Sequence, residues 1–348
     1  MKNMMEGFFI TLVLVTFIVS LTSCGASVSQ DVYGESSIDT TVKSVSEEET
    51  SGESSESEAN SENGTNDKQK IDNYANREAK LKENLITIKQ NSYAIDDDMD
   101  EDFIIAEMIE FIGSTDSELR DDLIYMTFRT WIESGKLETS KTKGILEALL
   151  SDERLKYHIG EAGTDSVFTR SFSVLIIYSV LFYDDFKEKI LTDEEIMHTY
   201  DQLITYLDEE KDCRGFVEEK GWAHAMAHSG DTFSLLAKYE VLGEEELLNI
   251  LHVIGSKIVT GEHEYVDGEE LRLMAAVETV LRRELVDDAS LEEWVKGMID
   301  YPQTGNEDVD RITHSNVKEF LNYLKSSVKM TKRGSVMLPY LEEFLEEN

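Results

Sequence analysis

Proline is nearly absent from this chain: 348 residues hold two, Pro302 and Pro339. Helices can therefore run on with few imposed breaks. Cysteine is equally scarce, with only Cys24 and Cys213, so a disulfide framework is excluded and any folded domain must hold together by its core. Basic residues are outnumbered, 33 Lys and Arg against 72 Asp and Glu, for a formal net charge of −39. Such a chain is repelled by nucleic acid and by anionic headgroups, which argues against nucleic-acid binding or attachment through a basic surface. It favours cations and basic partners, and it also serves plain solubility. The chain has no phosphate-cradling glycine loop, no Gly-x-Ser-x-Gly elbow and no Cys-x-x-Cys pair. Alternating apolar patterns that would signal strands are rare.

What is present begins with an address. Lys2 is followed by an uncharged apolar run over residues 7–20, too short for an ordinary spanning helix and laid out as a secretory signal peptide. Leu21-Thr-Ser-Cys24 follows, and it resembles the bacterial lipobox, whose cysteine becomes the lipidated first residue of the mature protein. The expectation is a signal peptide over 1–23 and a lipid on Cys24. That lipid would hold the protein at the extracytoplasmic face of the cell membrane. Residues 24–74 are rich in Ser, Glu, Asn and Thr and poor in large apolar residues. Such a segment cannot bury enough apolar area to offset the entropy of ordering, and it is expected to be a disordered acidic tether. With Cys24 lipidated, Cys213 is the only thiol left and is read as a small packing residue.

From 75 to 348 the texture is uniform. Apolar residues recur near every 3.6 positions in segments of roughly 12–20 residues, as in Phe103, Ile104, Met108, Phe111 and Ile112, or Leu123, Ile124, Phe128, Trp131 and Ile132. Start signals recur too: Ser114 before Asp116, Thr192 before Asp193 and Glu194, Ser290 before Glu292. The predicted class is all-α, with antiparallel helix pairs joined by short loops. No crisp repeat of ankyrin or tetratricopeptide type is visible. A degenerate HEAT-like array with a period near 40 residues and an irregular helical bundle both fit. Residues 174–181 are apolar all round, which marks a central helix buried on both sides.

The most unusual stretch is Gly221-Trp-Ala-His-Ala-Met-Ala-His228, continuing to Asp231 and Leu236. Read as one helix at 100° per residue, it places His224, His228 and Asp231 in one roughly 60° arc. Trp222, Met226, Phe233 and Leu236 then take the other side. Three readings stay open for this trio: a structural polar network between stacked helices, the lining of a groove for a peptide, glycan or small ligand, or a divalent metal site. Spacing alone is weak support for a metal. The glutamate that follows the first histidine in a zincin helix is replaced by Ala225, so a protease of that type is rejected. Other polar residues await partners. Arg170, placed just before the apolar 174–181 helix, opposes the helix dipole and calls for an acidic partner. Glu269, Glu270 and Arg272 could supply partners to the trio, either as a buried Arg272–Asp231 pair or as an exposed surface pair. The acidic run over 96–102 lacks the glycine of a calcium loop in either register and is read as stabilising a helix N-terminus.

Taken in order, Arg120-Asp-Asp-Leu123, Arg170-Ser-Phe-Ser-Val-Leu175, the Gly221–His228 block with Asp231, and Glu269-Glu-Leu-Arg-Leu273 resemble a bacterial family with no assigned activity, the domain of unknown function numbered 2785. The resemblance covers roughly residues 80 to 325. It implies an all-helical, HEAT-like domain and no reaction. Functionally the chain reads as a non-enzymatic binding or scaffolding module at the cell envelope, taking a protein, peptide or glycan. The alternative is a metal-dependent enzyme of hydrolase type, with His224 and His228 as ligands and Asp231 or Glu269 as third ligand or base.

Overall fold

In the computed structural model the described residues are 61–96, 98–329, 331 and 334–347, with side chains from 72 onward. The expected signal peptide, Cys24 and the expected tether as far as residue 60 lie outside them, whereas residues 61–74, expected to be disordered tether, belong to a helix. Helix α1 (Ser61–Gln90) begins ahead of the boundary expected at residue 75.

Among the described residues the fold is all-α, with twelve α-helices and one hairpin of two-residue strands. After α1 come α2 (Glu101–Glu110), a π-helical turn (Glu118–Tyr125) that runs directly into α3 (Met126–Glu133), α4 (Thr139–Leu150), α5 (Ser166–Phe186) and α6 (Asp193–Glu209). The hairpin β1 (Phe216–Val217) and β2 (Gly221–Trp222) precedes α7 (Ala225–Leu236). The chain then continues through α8 (Glu244–Ile258), α9 (Glu269–Arg283), α10 (Asp288–Ile299), α11 (Glu307–Val328), a 3-10 turn and α12 (Leu338–Glu347).

Local chemistry sets the helix starts. Asp100, inside the acidic run, accepts from the backbone N–H groups of Asp102 and Phe103 and so caps α2. Thr192 and Glu195 form a reciprocal capping box at α6. At α10 the cap is Asp287, which accepts from the Ser290 N–H, so the signal expected at Ser290 belongs three residues earlier. Asn306 caps α11.

Two layers result. The odd-numbered helices α3, α5, α7, α9 and α11 pack each against the next, and α6, α8, α10 and α12 do the same in a second layer. Lys143 of α4 reaches Glu195 of α6 and carries that layer back toward α4 and α2. Stacking of pairs onto sequence neighbours is the arrangement of an α-solenoid rather than of a closed bundle. Helix α5 is the central helix expected from residues 174–181, with Val174, Ile176, Ile177, Val180 and Leu181 fully enclosed. It is long and apolar enough to cross a membrane, yet 78% of that stretch is buried inside the protein, as befits a core helix.

Helix α7 is pressed between α5 and α9, and its small residues allow this. A Cβ on Gly230 would overlap the backbone of Arg272 and Leu273 in α9. Ser229 and Gly230 are poor helix formers, yet α7 continues through them to Leu236. The hydroxyls of Ser229 and Thr232 donate back to the carbonyls of Ala225 and His228, and glycine is there because α9 lies so close.

Candidate functional site

The link from α6 to α7 is where the helical repeat is interrupted, and it is anchored from several sides. Arg170 lies in the second turn of α5, not ahead of the helix, and is fully buried. Its guanidinium grips Glu210 through two hydrogen bonds of 2.6 and 2.8 Å. It also donates to the carbonyls of Tyr157, His158 and Glu161 and to the Ser166 hydroxyl. Every donor of this side chain has a partner, so Arg170 fixes the end of α6 and has no donor left for a ligand. Asp212, also buried, accepts from Gly163 N–H and from the Arg214 guanidinium. Cys213 is buried beside Tyr265, and burial pushes its thiol up to about 11.

Residues 216–222 then fold back on themselves. Phe216 pairs with Trp222 and Val217 with Gly221 in antiparallel register. Two further backbone bonds, Ala223 N–H to Gly215 and His224 N–H to Arg214, extend the ladder. Gly221 sits at φ +80°, a left-handed conformation that a side chain resists. The carbonyl of Lys220 is held at 2.7 Å by Arg120, a fully buried guanidinium lying 4.1 Å over the Phe168 ring and 4.8 Å over Phe172. Outward, Phe216 and Trp222 form an edge-to-face pair with centroids 5.0 Å apart, and they remain 58% and 38% exposed.

This hairpin corrects the reading of 221–236 as one helix. Helix α7 starts only at Ala225, and His224 stands ahead of it at φ +48° and ψ +33°. The projection at 100° per residue therefore does not hold for His224 or Trp222, and the trio divides. The His224 ring stacks on Trp222 with centroids 4.2 Å apart. His228 lies next to that ring but is held by α5: its Nδ1 lies 3.2 Å from the Ser171 carbonyl and its ring meets Phe172 edge-on. Asp231 is taken by Arg272, whose Nε and Nη2 both donate to its Oδ2, and about a third of each side chain stays exposed. The pairing expected between Arg272 and Asp231 is thus present as a partly exposed tie between α7 and α9.

What meets His224 instead comes from the start of α9. Glu269, with no exposed surface, places Oε1 3.5 Å from His224 Nε2. No hydrogen bond joins them, and neither buried atom has a hydrogen-bond partner elsewhere. Asp267 completes the cluster: the ligand-capable atoms of His224, Asp267 and Glu269 lie within 4.8 Å of one another. The Asp267 N–H donates to Glu269 Oε2 at 3.0 Å, and the Asp267 carboxylate receives the Phe216 N–H. Gly215 makes the room, since a Cβ there would collide with Asp267 Oδ2 and lie 2.6 Å from Glu269 Oε1. Burial and the charge of Arg272 push the His224 imidazole down to about 4, and His228 is driven well below its ordinary value for the same reasons. Both rings are neutral at pH 7, with a nitrogen lone pair available. Burial pushes the Glu269 carboxyl up. Glu270, beside it, is also buried, with Oε2 lacking a hydrogen-bond partner.

The sequence reading thus reached His224 and Glu269 but missed Asp267, Gly215 and the exposed Phe216. The one local signal was Asp267-Gly268-Glu269, acidic residues around a glycine at a helix start. Clefts of about 520 Å³, lined by Tyr74, Glu110, Arg154, Tyr157 and His158, and about 650 Å³, lined by Lys189, Asp193, Lys238 and Tyr239, lie elsewhere.

Residues 155–325 match the family profile described as "Protein of unknown function (DUF2785)", and this stretch is a domain of unknown function. It contains Arg170, the 221–231 block and the 269–273 block, whereas Arg120 lies outside the match. No curated protein and no solved structure matches the chain.

Proposed function

We propose that the chain is a lipid-anchored helical binding module that docks a peptide or glycan of the cell envelope on the 216–222 hairpin. The observation that carries this reading is the pair Phe216 and Trp222, two large aromatic rings held outward by a rigidly clamped hairpin in an otherwise regular helical array. Exposed aromatic rings offer contact area at low entropic cost, and they are enriched where partners bind. The basic n-region, the apolar run over 7–20 and Leu21-Thr-Ser-Cys24 support anchoring through Cys24 at the extracytoplasmic face. The strongly acidic composition supports a partner that is neutral or basic.

A photo-crosslinking amino acid placed at residue 216 in living cells tests the docking reading, with one at Phe103, an exposed aromatic on α2, as control. A discrete adduct from 216 that is absent from 103 is the expected result, and no adduct from either defeats it. The anchor is tested separately with a palmitate analogue, which should label the wild type and not Cys24→Ala.

The second reading, a metal-dependent enzyme of hydrolase type, draws on the meeting of His224 with Glu269. Against it, Asp231, the expected third ligand or base, is committed to Arg272, and His228, an expected ligand, has its Nδ1 on the Ser171 carbonyl of α5.

A further inference from the structure

We propose that His224, Asp267 and Glu269 form a binding site for one divalent transition-metal ion, of the zinc or manganese class. The inference concerns a bound ion and needs no docking partner, so it stands or falls separately from the binding reading.

Glu269 carries the argument furthest. It is wholly enclosed, and its Oε1 has no hydrogen-bond partner. A carboxylate oxygen shut away from water without a donor is costly, and proteins supply such atoms with a proton, a water or a cation. The group facing it is His224 Nε2, itself buried and without a hydrogen-bond partner. Their separation of 3.5 Å suits two ligands of one ion, because ligands about 2.1 Å from a tetrahedral metal stand roughly 3.4 Å apart. Asp267, more exposed, lies within the same 4.8 Å set and can close over the ion from the solvent side.

The donor set selects the metal. One imidazole nitrogen with two carboxylates suits zinc, manganese or iron, whereas calcium and magnesium prefer oxygen alone. Two carboxylates and a neutral ring carry two negative charges, which a divalent cation neutralises. The surroundings hold the ligands in place. Trp222 stacks on the His224 ring, the Asp267 N–H fixes Glu269 through Oε2, and Gly215 leaves both carboxylates space. His224 and Gly215 flank the hairpin, while Asp267 and Glu269 open α9. An ion here would pin the hairpin to the α9 N-terminus beneath Phe216 and Trp222.

The test uses the full-length protein in detergent, without a histidine tag, stripped by chelator and titrated calorimetrically with Zn²⁺ and, separately, Mn²⁺. One equivalent should bind in the wild type. Affinity should fall at least tenfold in Asp267→Asn and Glu269→Gln, and should hold within about threefold in Asp231→Asn. Substitution with Co²⁺ should give the visible absorption bands of a low-symmetry nitrogen and oxygen site, lost in His224→Gln. Circular dichroism checks that each variant keeps its helix content, and Asp267→Asn, at an exposed position, keeps the test decisive if a buried variant unfolds. No binding by the folded wild type would overturn the site. Undiminished affinity in Asp267→Asn together with a folded Glu269→Gln would do the same, and so would loss of binding in Asp231→Asn alone.

Discussion

His224 and His228 stand four residues apart and do not share a helix face: their rings meet edge-on at 84° with centroids 6.0 Å apart. The reason is one left-handed residue. With His224 at φ +48°, its side chain leaves the direction that the α7 helix would have imposed and lies along the hairpin, while His228 obeys the helix and points into α5.

Both imidazoles are held neutral by burial, and this gives the protein a defined acid sensitivity. A histidine whose folded value lies below the unfolded 6.5 binds more protons when unfolded, so stability falls as pH drops below about 6.5. For His224 the loss continues to about pH 4, and each such ring contributes up to about 1.4 kcal/mol per pH unit. Urea unfolding of wild type and His228→Gln at pH 7 and pH 5 measures this. The gap between the two proteins should narrow at pH 5, and a constant gap would refute the assignment.

Two arginine pairs should behave very differently. Arg170 and Glu210 are both wholly buried, so Glu210→Gln leaves an enclosed cation without its charge partner and should cost about 3–5 kcal/mol. Arg272 and Asp231 keep about a third of their surface in water, and Asp231→Asn should cost no more than about 1 kcal/mol. Thermal melts of the two single variants decide it, and equal losses would contradict the burial argument.

Replacing Gly230 by Ala sets two effects against each other. Helix propensity favours alanine by about 1 kcal/mol. The new methyl group, however, would overlap the backbone of α9, which cannot swing aside as a flexible side chain can. Overpacking of this kind costs about 1–3 kcal/mol and should win, giving a net loss of stability. A variant more stable than wild type in denaturant titration would show that α9 yields.

Cys213 should be nearly inert in the folded protein. Its thiol is 6% exposed and is pushed up to about 11, so little thiolate exists at pH 8. In a Cys24→Ala background, a thiol reagent at pH 8 should modify Cys213 at least tenfold faster in denaturant than in buffer. Rapid labelling in buffer would mean that the α6–α7 link opens.

Much of the fold could be read from the residues because its determinants are local. Apolar spacing in α2 and α3, the capping box at Thr192 and the enclosed run of α5 all depend on neighbours in sequence, and the helices are found there. The candidate site was legible only in part, because its geometry is set by distant contacts and by glycines. Gly221 and His224 in left-handed conformations end the helical spacing that the alanines around them suggest. Asp267 comes to His224 only after the whole of α8 has turned the chain back. The partner of Arg170 was expected to be acidic, and Glu210 is. Which carboxylate it would be depended on where α6 stops.

The clamp on Lys220 bears on how the protein is made. A hairpin of two-residue strands has no stability of its own. This one is secured by Arg120, a hundred residues earlier, and by Asp267, some fifty residues later. Its aromatic rings are therefore presented only by a chain in which the early and late helices have both been built. A half-synthesised, clipped or misassembled copy would lack the surface altogether, which makes that surface a certificate of complete assembly.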